Sequence, residues 1–473
     1  MIAIVVSRAD SASEHIGEHL LDVGDWERRD DPSRPDGAGG GTYYRTEGFE
    51  LREFDDLHID LEDPAAAFGG DGNAGDGDAG ETPEFLAFVS RHSGETGKLL
   101  TAHVTGNFGP APYGGEPETL ARAAPGAEKR VVAALAAHAP EGYDVGIECT
   151  HHGPTAASVP SLFVELGSDE PQWTDSAAAR AVARAVLDLR GTGADLVDDA
   201  TETAEAAADA RRPRHVVGFG GGHYAPRFTR IVRETEWAVG HVAADWALGD
   251  MGAPDANRAV IEQAFARSRA DLAVIEGDKP DLAATVEELG HRVVTETWVR
   301  EVDDRPRALV ERLESEVATV DDGLRFGEVV PADPAAIRVR PLPDELLSRA
   351  QGVNADETRA AVEANAVAFD TEQAGTRATG RAAFAADGRA PGYADLVADL
   401  AGVLAQGYDA VEVGDDAVIA HETAFDPALA AERGVPEGPA FGRLADGEPV
   451  EVDGETVAPE DVSRARTERF PIE

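Results

Sequence analysis

The sequence contains few of the features that mark secreted or membrane-bound proteins. It has a single cysteine, Cys149, so no disulfide can form within the chain. It has no uninterrupted apolar run of the roughly 18 residues that a membrane-spanning helix needs. The first residues, MIAIVVSRAD, lack the basic segment of a signal peptide and are typical of a first strand. We therefore expect a cytoplasmic protein that is not associated with a membrane.

Basic residues are also scarce. The chain has 90 acidic against 42 basic residues, a net charge of −48, and only three of the bases are lysines: Lys98, Lys129 and Lys279. This composition is typical of a protein from a halophile with a salt-rich cytoplasm, because at about 1 M salt the Debye length falls to roughly 3 Å and surface repulsion is screened. A moderately acidic protein from an ordinary organism is the alternative. Screening also hides repulsion of nucleic acid, so the acidity does not exclude RNA as a partner.

Apolar, strand-like segments alternate with helix-like segments over the first 300 residues. The predicted strands are MIAIVV at the start, LLTAHVTG (99–106), YDVGIECT (143–150), SLFVELG (161–167), RHVVGFG (214–220), DLAVIEG (271–277) and HRVVTETWV (291–299). The predicted helices are SASEHIGEHLLD, with Ser11 as its N-cap, and the segments 117–139 and 175–189. This alternation predicts an α/β fold with a mainly parallel sheet flanked by helices.

The pattern changes near residue 300. We predict a catalytic region over 1–300 and a C-terminal extension over 302–473 with mixed α/β structure. In the extension, RALVERLESEV, DETRAAVEANAVAF and YADLVADLAGVLAQGY favour helices, and AVEVGDDAVIAHET favours a hairpin. Two Gly/Asp-rich stretches, near 28–48 and at 69–81, lack apolar periodicity and are predicted to be flexible acidic insertions. The acidic segment 191–210 is predicted to be a solvated helix or loop.

Histidines at the predicted ends of strands are the strongest candidates for a functional site. They are His92, His103, the pair His151–His152, and His223, with His241 close behind. The carboxyl ends of strands are where open α/β sheets build their sites. The other histidines considered lie in polar helices or loops and are interpreted as surface residues: His15, His19, His58, His138, His291 and His421.

The segment GFGGGHYAPRFT resembles a phosphate-binding loop but departs from both common patterns. A dinucleotide fingerprint needs glycine at its sixth position, where this chain has His223, and the Lys-Ser/Thr pair of a P-loop is absent. We therefore expect no dinucleotide. The loop is interpreted as one that presents His223 to a reacting centre. A tight turn in which His223 is merely a satisfied polar group remains the alternative.

A carboxylate in an apolar strand points to the same chemistry. Glu165 lies within SLFVELG, and a buried carboxylate costs several kcal/mol unless it meets a cation, a metal or good donors. A salt bridge to a core arginine would satisfy it. The alternative is that Glu165 meets the histidines, as metal ligand, as a partner of ligands or as general base. Of His151 and His152, adjacent residues that point in different directions, at most one is expected to face a given site.

Six arginines surround the glycine loop: Arg211, Arg212, Arg214, Arg227, Arg230 and Arg233. Two readings stay open. The arginines either form ion pairs with Glu234 and Glu236 or contact phosphates, to which guanidinium groups bind bidentately.

Together, THHGPT, VELGS with the following Trp173, and GFGGGHYAPRFT resemble the archaeal and plant type of D-aminoacyl-tRNA deacylase. The resemblance extends over about residues 1–300 outside the insertions. It implies a fold like those of phosphorylases and peptidyl-tRNA hydrolases. It also implies hydrolysis of the ester between a D-amino acid and tRNA, with a broad side-chain range that extends to glycyl-tRNA(Ala). The role implied is chiral proofreading, which protects the cell from D-amino acids.

The resemblance also implies zinc, one or two ions per chain. The catalytic candidates are His151, His152, Glu165 and His223, and the metal-ligand candidates are His103, His152, Glu165 and His223. For substrate and tRNA binding, the candidates are Gly220, Gly221, Gly222, Tyr224, Arg212, Arg214, Arg227 and Arg230. A water activated by metal or by a His/Glu pair would be the nucleophile. We expect a monomer with tRNA as partner.

The chain departs from shorter family members by its C-terminal extension. The segment 432–462 resembles a short part of tRNA 3′-end processing nucleases, but their metal motif is absent, so a second nuclease is not expected. Other functions compete with deacylation. One is a small-molecule metallohydrolase or a nucleoside phosphorylase-like enzyme on the same fold, and another is a non-enzymatic RNA-binding module.

Overall fold

The structure is a computed structural model. It describes residues 1–69, 82–196, 213–331, 333, 335–386 and 391–472. The chain divides into two compact units, Met1–Asp304 and Arg305–Glu473. The predicted insertion at 69–81, apart from Gly69, and most of the acidic segment 191–210 lie outside the described residues.

A sheet of eight strands forms the larger part of the first unit, in the order β2-β3-β4-β1-β5-β10-β6-β9. Its strands are β1 (Ile2–Ser7), β2 (Glu27–Asp31), β3 (Gly41–Thr46), β4 (Phe49–Phe54), β5 (Phe85–Arg91), β6 (Leu99–His103), β9 (Asp144–Ile147) and β10 (Ser161–Gly167). The sheet is mixed, because β2, β3 and β4 pair antiparallel and β10 pairs antiparallel with β6. Four of its seven strand pairings are nevertheless parallel, so the expectation of a mainly parallel sheet is confirmed in part. An α/β fold flanked by helices is confirmed.

A second sheet of the first unit is fully parallel, in the order β12-β11-β13-β14. Its strands are β11 (His215–Phe219), β12 (Ala238–Ala243), β13 (Leu272–Ile275) and β14 (Arg292–Val294). A two-stranded ribbon is made of β7 (Gly106–Asn107) and β8 (Thr119–Leu120). The loop after β9 reaches the second sheet, because the amide of Thr150 donates to the Val242 carbonyl at 2.8 Å. This contact places the ends of β9 and β12 side by side.

The strands and helices follow from their residues. β1 (IAIVVS) is buried along its whole length, as expected for a strand covered on both faces. In the described part of this unit the helices are Ser11–Val23, Pro125–His138, Glu170–Trp173, Ser176–Leu187, Pro226–Glu234, Asp245–Met251, Arg258–Ser268, Pro280–Glu288 and Glu296–Glu301. The first helix is capped by Asp10, whose carboxylate accepts from the amides of Ala12 and Ser13. Ser11, the predicted cap, is its first residue.

Three predictions in this unit are corrected. The stretch near 28–48 is not a flexible insertion, since β2 and β3 within it pair over five residues. The helix predicted over 117–139 begins at Pro125, because proline suits the first turn of a helix. The segment 291–299 is a short strand followed by a helix, which Thr295 caps by accepting from the Trp298 amide.

In its described residues, the second unit contains a four-stranded, a three-stranded and a two-stranded sheet. Its helices are Arg307–Glu316, Asp344–Val353, Ala355–Asn365, Tyr393–Leu404, Pro427–Glu432 and Pro439–Ala445. The strands are β15 (Arg325–Phe326), β16 (Ile337–Pro341), β17 (Ala368–Glu372), β18 (Arg377–Ala385), β19 (Ala410–Val413), β20 (Ala417–Phe425), β21 (Val450–Val452), β22 (Glu455–Val457) and β23 (Ser463–Pro471). The predicted hairpin is confirmed as β19 and β20. The helix predicted over 356–369 ends at Asn365, and its last residues belong to β17.

None of the helices in the described ranges is both long and apolar enough to cross a membrane. His58, interpreted above as a surface residue, is instead buried at 3% exposure. Its Nε2 lies 3.3 Å from the Val5 carbonyl and 3.4 Å from Ser13 Oγ. A histidine in a short polar segment can thus belong to the core when backbone acceptors face it.

Buried His215 shows how such a histidine makes stability depend on pH. Burial lowers the pKa of His215 to about 4. Its Nδ1 lies 2.7 Å from the Ser268 carbonyl and its Nε2 accepts from the Leu196 amide at 2.9 Å, so only the neutral ring satisfies both neighbours. The unfolded chain, with an ordinary pKa near 6.5, binds a proton below that pH that the folded chain does not. Stability is therefore full above about pH 6.5 and is lost as pH falls toward 4.

Replacing His215 by glutamine, whose amide can donate and accept at once, should reduce this dependence. Between pH 7.0 and 5.5, the free energy of unfolding should fall by about 1 kcal/mol less in His215→Gln than in the unsubstituted chain. Denaturant unfolding in molar KCl at both pH values measures this difference. Equal losses in the two proteins would contradict the assignment.

Candidate active site

Functional side chains converge where β5, β6, β9 and β10 lie side by side. The register places Glu165 of β10 opposite Ser90 of β5 on one side and Thr101 of β6 on the other. Phe163 lies two positions before Glu165 on β10 and on the same face of the sheet, and its ring stacks on Phe88 with ring centroids 4.7 Å apart. This face of the sheet is thus apolar at Phe163 and polar at Glu165, the next residue on the same face. The site begins at this buried carboxylate.

The Glu165 carboxylate is buried and held by three side chains. Ser90 Oγ donates to Oε1 at 2.8 Å, His92 Nδ1 lies 3.5 Å from Oε2, and His103 Nε2 lies 3.4 Å from Oε1. Burial alone would raise the pKa of Glu165, but the nearby imidazoles of His103 and His92 keep it below its usual range. No arginine is among these partners, so the alternative of a salt bridge to a core arginine does not apply. Glu165 meets the histidines.

A second buried carboxylate, Glu148, was missed by the sequence analysis. It follows β9 directly and accepts from Thr101 Oγ1 at 2.5 Å, while His92 Nδ1 lies 3.1 Å and His223 Nε2 2.8 Å from its two oxygens. Burial would raise the pKa of Glu148, but the hydrogen bonds from His223 and His92 hold it well below the ordinary value. The signal was present: Glu148 is an acid at the end of an apolar strand, like Glu165.

His92 and His223 take up the charge of these carboxylates. Burial would lower the pKa of His92, but hydrogen bonds to Glu148 and Glu165 raise it to about 10. Burial would likewise lower the pKa of His223, but its contacts with Cys149 and Glu148 raise it to about 10. Two imidazolium ions therefore balance two carboxylates at neutral pH. His92 was noted only as a histidine near a strand end, and the structure places it at the centre.

Three other histidines form a second group. His103 and His151 have ring centroids 4.4 Å apart, and His103 and His152 4.9 Å. The Nδ1 atoms of His151 and His152 lie 2.8 and 2.6 Å from the carbonyls of Cys149 and Gly153, so Nδ1 carries the proton and Nε2 keeps its lone pair. Burial, followed by the electrostatic effect of the nearby His103 ring, lowers the pKa of His152 to about 4 and that of His151 well below its ordinary value.

Both members of the His151–His152 pair face this one site, which corrects the expectation that at most one would. Their ring centroids lie 4.4 Å apart. The reason is the backbone of His152, whose φ of +51° lies in the left-handed region. In an extended chain adjacent side chains point to opposite sides, and the left-handed residue removes that alternation.

The glycine loop brings His223 to the site. Gly220 and Gly221 have φ of +94° and +81°, and a Cβ on Gly220 would lie 2.3 Å from the Glu276 carbonyl, so glycine is required there. The Gly220 amide donates to the Ala243 carbonyl at 2.7 Å. No acceptor among the described residues engages the amides of Gly221 and Gly222. These two amides are the candidates for binding a developing negative charge.

Tyr224 joins the loop to the carboxylate centre. Its hydroxyl lies 3.3 Å from His92 Nε2, and its ring packs edge-on against His92 and His223. Trp173, which the sequence analysis grouped with VELGS, donates from Nε1 to the His92 carbonyl at 2.9 Å. His92 is thus contacted at its backbone by Trp173 and at its ring by Tyr224.

The arginines near the loop differ in their surroundings. Arg214 is 6% exposed, and its Nη1 donates to the Asp303 carbonyl at 2.7 Å, so it packs inside the fold and is withdrawn as a tRNA contact.

Arg227 and Arg230 both pair with Glu296, at 3.4 and 3.1 Å, and not with the predicted Glu234 or Glu236. Arg211 and Arg212 lie outside the described residues. Ion pairing thus accounts for Arg227 and Arg230 as the structure has them.

Among the described residues, three groups of side chains have the composition and spacing of metal ligands. In each group, ligand atoms lie within 4.8 Å of one another: His103, His151 and His152; Cys149, His151 and His223; and His92, Glu148 and Glu165. The predicted ligands His103 and His152 share the first group, whereas His223 and Glu165 fall in the other two.

The group of three histidines fits zinc best. The Nε2 atoms of His151 and His152 keep their lone pairs while Nδ1 donates to a backbone carbonyl, which is the usual state of a ligating histidine. His103 Nε2 is buried and makes no well-aligned hydrogen bond. Three imidazoles are a known zinc ligand set.

Comparison with known proteins gives a consistent result. A model of the D-aminoacyl-tRNA deacylase family matches residues 79–294. The chain is 81% identical to the D-aminoacyl-tRNA deacylase of Halorubrum lacusprofundi, over 100% of this chain and 97% of that protein. It is 52% identical to the D-aminoacyl-tRNA deacylase of Natronomonas pharaonis, over 99% of this chain and 100% of that protein. It is 32% identical to the D-aminoacyl-tRNA deacylase of Methanoregula boonei, over 85% of this chain and 88% of that protein.

A solved structure is also similar. The crystal structure of a conserved protein of unknown function matches with a TM-score of 0.50 and 29% identity, covering 62% of this chain and 95% of that one. The predicted likeness to phosphorylases and peptidyl-tRNA hydrolases is not tested by this match and stays a prediction.

Proposed function

Since this chain belongs to the D-aminoacyl-tRNA deacylase family, whose members are hydrolases acting on aminoacyl-tRNA esters, we propose that it releases D-amino acids from tRNA. The reaction is hydrolysis of the ester that joins a D-amino acid to the 3′ end of tRNA, and its products are free tRNA and the D-amino acid. In the cell it would serve chiral proofreading. We extend the proposal to a broad range of side chains, including glycyl-tRNA(Ala), and to a chain that acts as a monomer.

The observation that supports this proposal most is the pairing of two charged with two neutral histidines around Glu148 and Glu165. Ester hydrolysis needs a group that takes a proton from water and a group that gives one to the leaving oxygen. Neutral His151 can accept a proton at Nε2, because its Nδ1 is held by the Cys149 carbonyl. Charged His223 can donate a proton, and it lies beside His151 with ring centroids 4.7 Å apart.

The carboxylates position these histidines. Glu148 lies 2.8 Å from His223 Nε2 and 3.9 Å from His151 Nε2, so it contacts the proposed acid and stabilises a charge formed on the proposed base. Glu165 holds His92 and His103 on the opposite side. The amides of Gly221 and Gly222 are proposed to bind the oxyanion of the tetrahedral intermediate.

A zinc ion fits the proposed site at His103, His151 and His152, with Cys149, His151 and His223 as a second candidate set. Zinc bound by His151 is an alternative to the role of His151 as base, because Nε2 cannot hold a metal ion and accept a proton at once. When bound, zinc supplies a Lewis acid that polarises an ester carbonyl or lowers the pKa of a water molecule. Tyr224, Arg227 and Arg230 remain proposed contacts of the tRNA end. For the two arginines this requires a phosphate to replace Glu296 as partner.

The proposed reaction can be tested with D-tyrosyl-tRNA and L-tyrosyl-tRNA side by side in molar KCl. We expect rapid release of D-tyrosine, with L-tyrosine released at least about 100-fold more slowly, and loss of activity on chelation that zinc restores. Release of D-tyrosine at the same rate with and without chelator would show that zinc is not needed, and the proposed catalysis by the histidines and glutamates would stand without a metal. No release of either ester by folded, zinc-loaded protein would favour a small-molecule metallohydrolase or a nucleoside phosphorylase-like enzyme.

Glu165→Gln tests the carboxylate. It removes the charge that His92 and His103 face, so turnover of D-tyrosyl-tRNA should fall by at least about 100-fold, while tRNA affinity stays within about threefold. Single-turnover rates and filter binding give the two readouts. Glu128→Gln is the matched control: Glu128 is 1% exposed and outside the site, and burial raises its pKa well above the ordinary value. Similar rates for Glu165→Gln and the unsubstituted enzyme would overturn the assignment.

A further inference from the structure

In the part of the chain that the structure describes, large exposed aromatic side chains occur only around the candidate active site. Among the described residues, five large hydrophobic side chains are exposed, and the three aromatic ones are Tyr113, Tyr224 and Trp246, at 67%, 37% and 47%. The other two, Val330 and Val413, belong to the second unit. Large apolar groups exposed together mark sites of interaction.

Tyr113 lies beside His152 on a tightly built loop. Its carbonyl accepts from the Gly153 amide at 3.1 Å. A Cβ on Gly153 would lie 2.5 Å from the Gly115 nitrogen, so the two backbones touch. The Asn107 side-chain amide donates to the Gly114 carbonyl at 3.1 Å and closes the loop. The tyrosine is therefore held out into solvent by a rigid support.

Trp246 lies beside the glycine loop on the other side. It belongs to the first turn of the helix Asp245–Met251, and the Asp245 amide donates to the Gly221 carbonyl at 2.9 Å. The same helix touches the loop of Tyr113, because a Cβ on Gly109 would lie 3.0 Å from the Asp250 carbonyl oxygen. Tyr224, next to His223, completes the set.

Two cations near these aromatics are already paired with carboxylates. Lys279 is paired with Asp245 at 2.8 Å, and Arg227 with Glu276 and Glu296 at 3.5 and 3.4 Å. At the salt concentration that the composition indicates, contacts between cations and phosphates also lose much of their strength. Stacking of bases on aromatic rings does not depend on charge and contributes strongly per base.

We propose that Tyr113 and Trp246, together with Tyr224, form a stacking platform for the unpaired nucleotides at the 3′ end of tRNA. The inference rests on the proposed function, which brings that end to the adjacent histidines. The platform binds the last nucleotides through their faces, so affinity is retained in molar salt. It accepts any tRNA, because every tRNA carries the same unpaired end.

Kinetics with D-tyrosyl-tRNA give the first test. Tyr113→Ala and Trp246→Ala should each raise KM about tenfold with a smaller effect on kcat, and Trp246→Phe should keep most of the affinity because a ring remains. Val413→Ala, which removes an exposed hydrophobic side chain elsewhere, is the matched control. KM within twofold of the unsubstituted enzyme in both alanine variants would overturn the platform and leave the proposed function standing.

Binding without catalysis gives an independent test. A fluorescent RNA tetranucleotide ending in CCA should bind with an affinity that changes less than about threefold between 1 and 3 M KCl, and a blunt RNA hairpin should not compete. Tyr113→Ala and Trp246→Ala should weaken it. If the tetranucleotide binds this way but D-tyrosyl-tRNA is not hydrolysed, the platform stands and the proposed function fails. A steep fall in affinity with salt, or equal binding by the variants, would contradict the platform.

Discussion

The buried carboxylate of Glu148 is the group on which the arrangement of the site depends. It follows β9 and is met by Thr101 from β6, by His92 after β5 and by His223 from the glycine loop of the second sheet. Burying this carboxylate without hydrogen-bond donors would cost several kcal/mol of folding free energy. That cost favours conformations in which each of these donors stays within reach of it. Backbone bonds support the same join, because the Cys149 amide donates to the His223 carbonyl at 2.8 Å. The two sheets and their functional side chains are thereby tied together.

The contacts with Glu148 divide the histidines of the site by charge. Those that touch Glu148 most closely, His92 and His223, become cationic, and those that donate to backbone carbonyls, His151 and His152, stay neutral. A single cluster can therefore offer proton donors, proton acceptors and free nitrogen lone pairs at once. Such separation of titrating groups by their surroundings is characteristic of sites that carry out acid and base chemistry at neutral pH.

Much of this arrangement could be predicted from the sequence, and the failures have physical reasons. Strand ends and the acid in SLFVELG identify Glu165, His103 and His223, because burial makes a lone carboxylate conspicuous. The same reasoning applied to YDVGIECT would have found Glu148. The shared orientation of His151 and His152 could not be predicted, since it depends on one left-handed residue. Arginines next to the loop were indistinguishable in sequence, yet Arg214 is buried against carbonyls and Arg230 pairs with a distant helix.

The central claim is that Glu148 acts through His223, and a double-mutant cycle on single-turnover hydrolysis of D-tyrosyl-tRNA tests it most directly. Glu148→Gln, His223→Gln and the double variant are compared with the unsubstituted enzyme. If the two residues work as one unit, the double variant is no slower than the worse single variant, because the second change removes nothing further. Rate losses that multiply in the double variant would show independent roles and contradict the account.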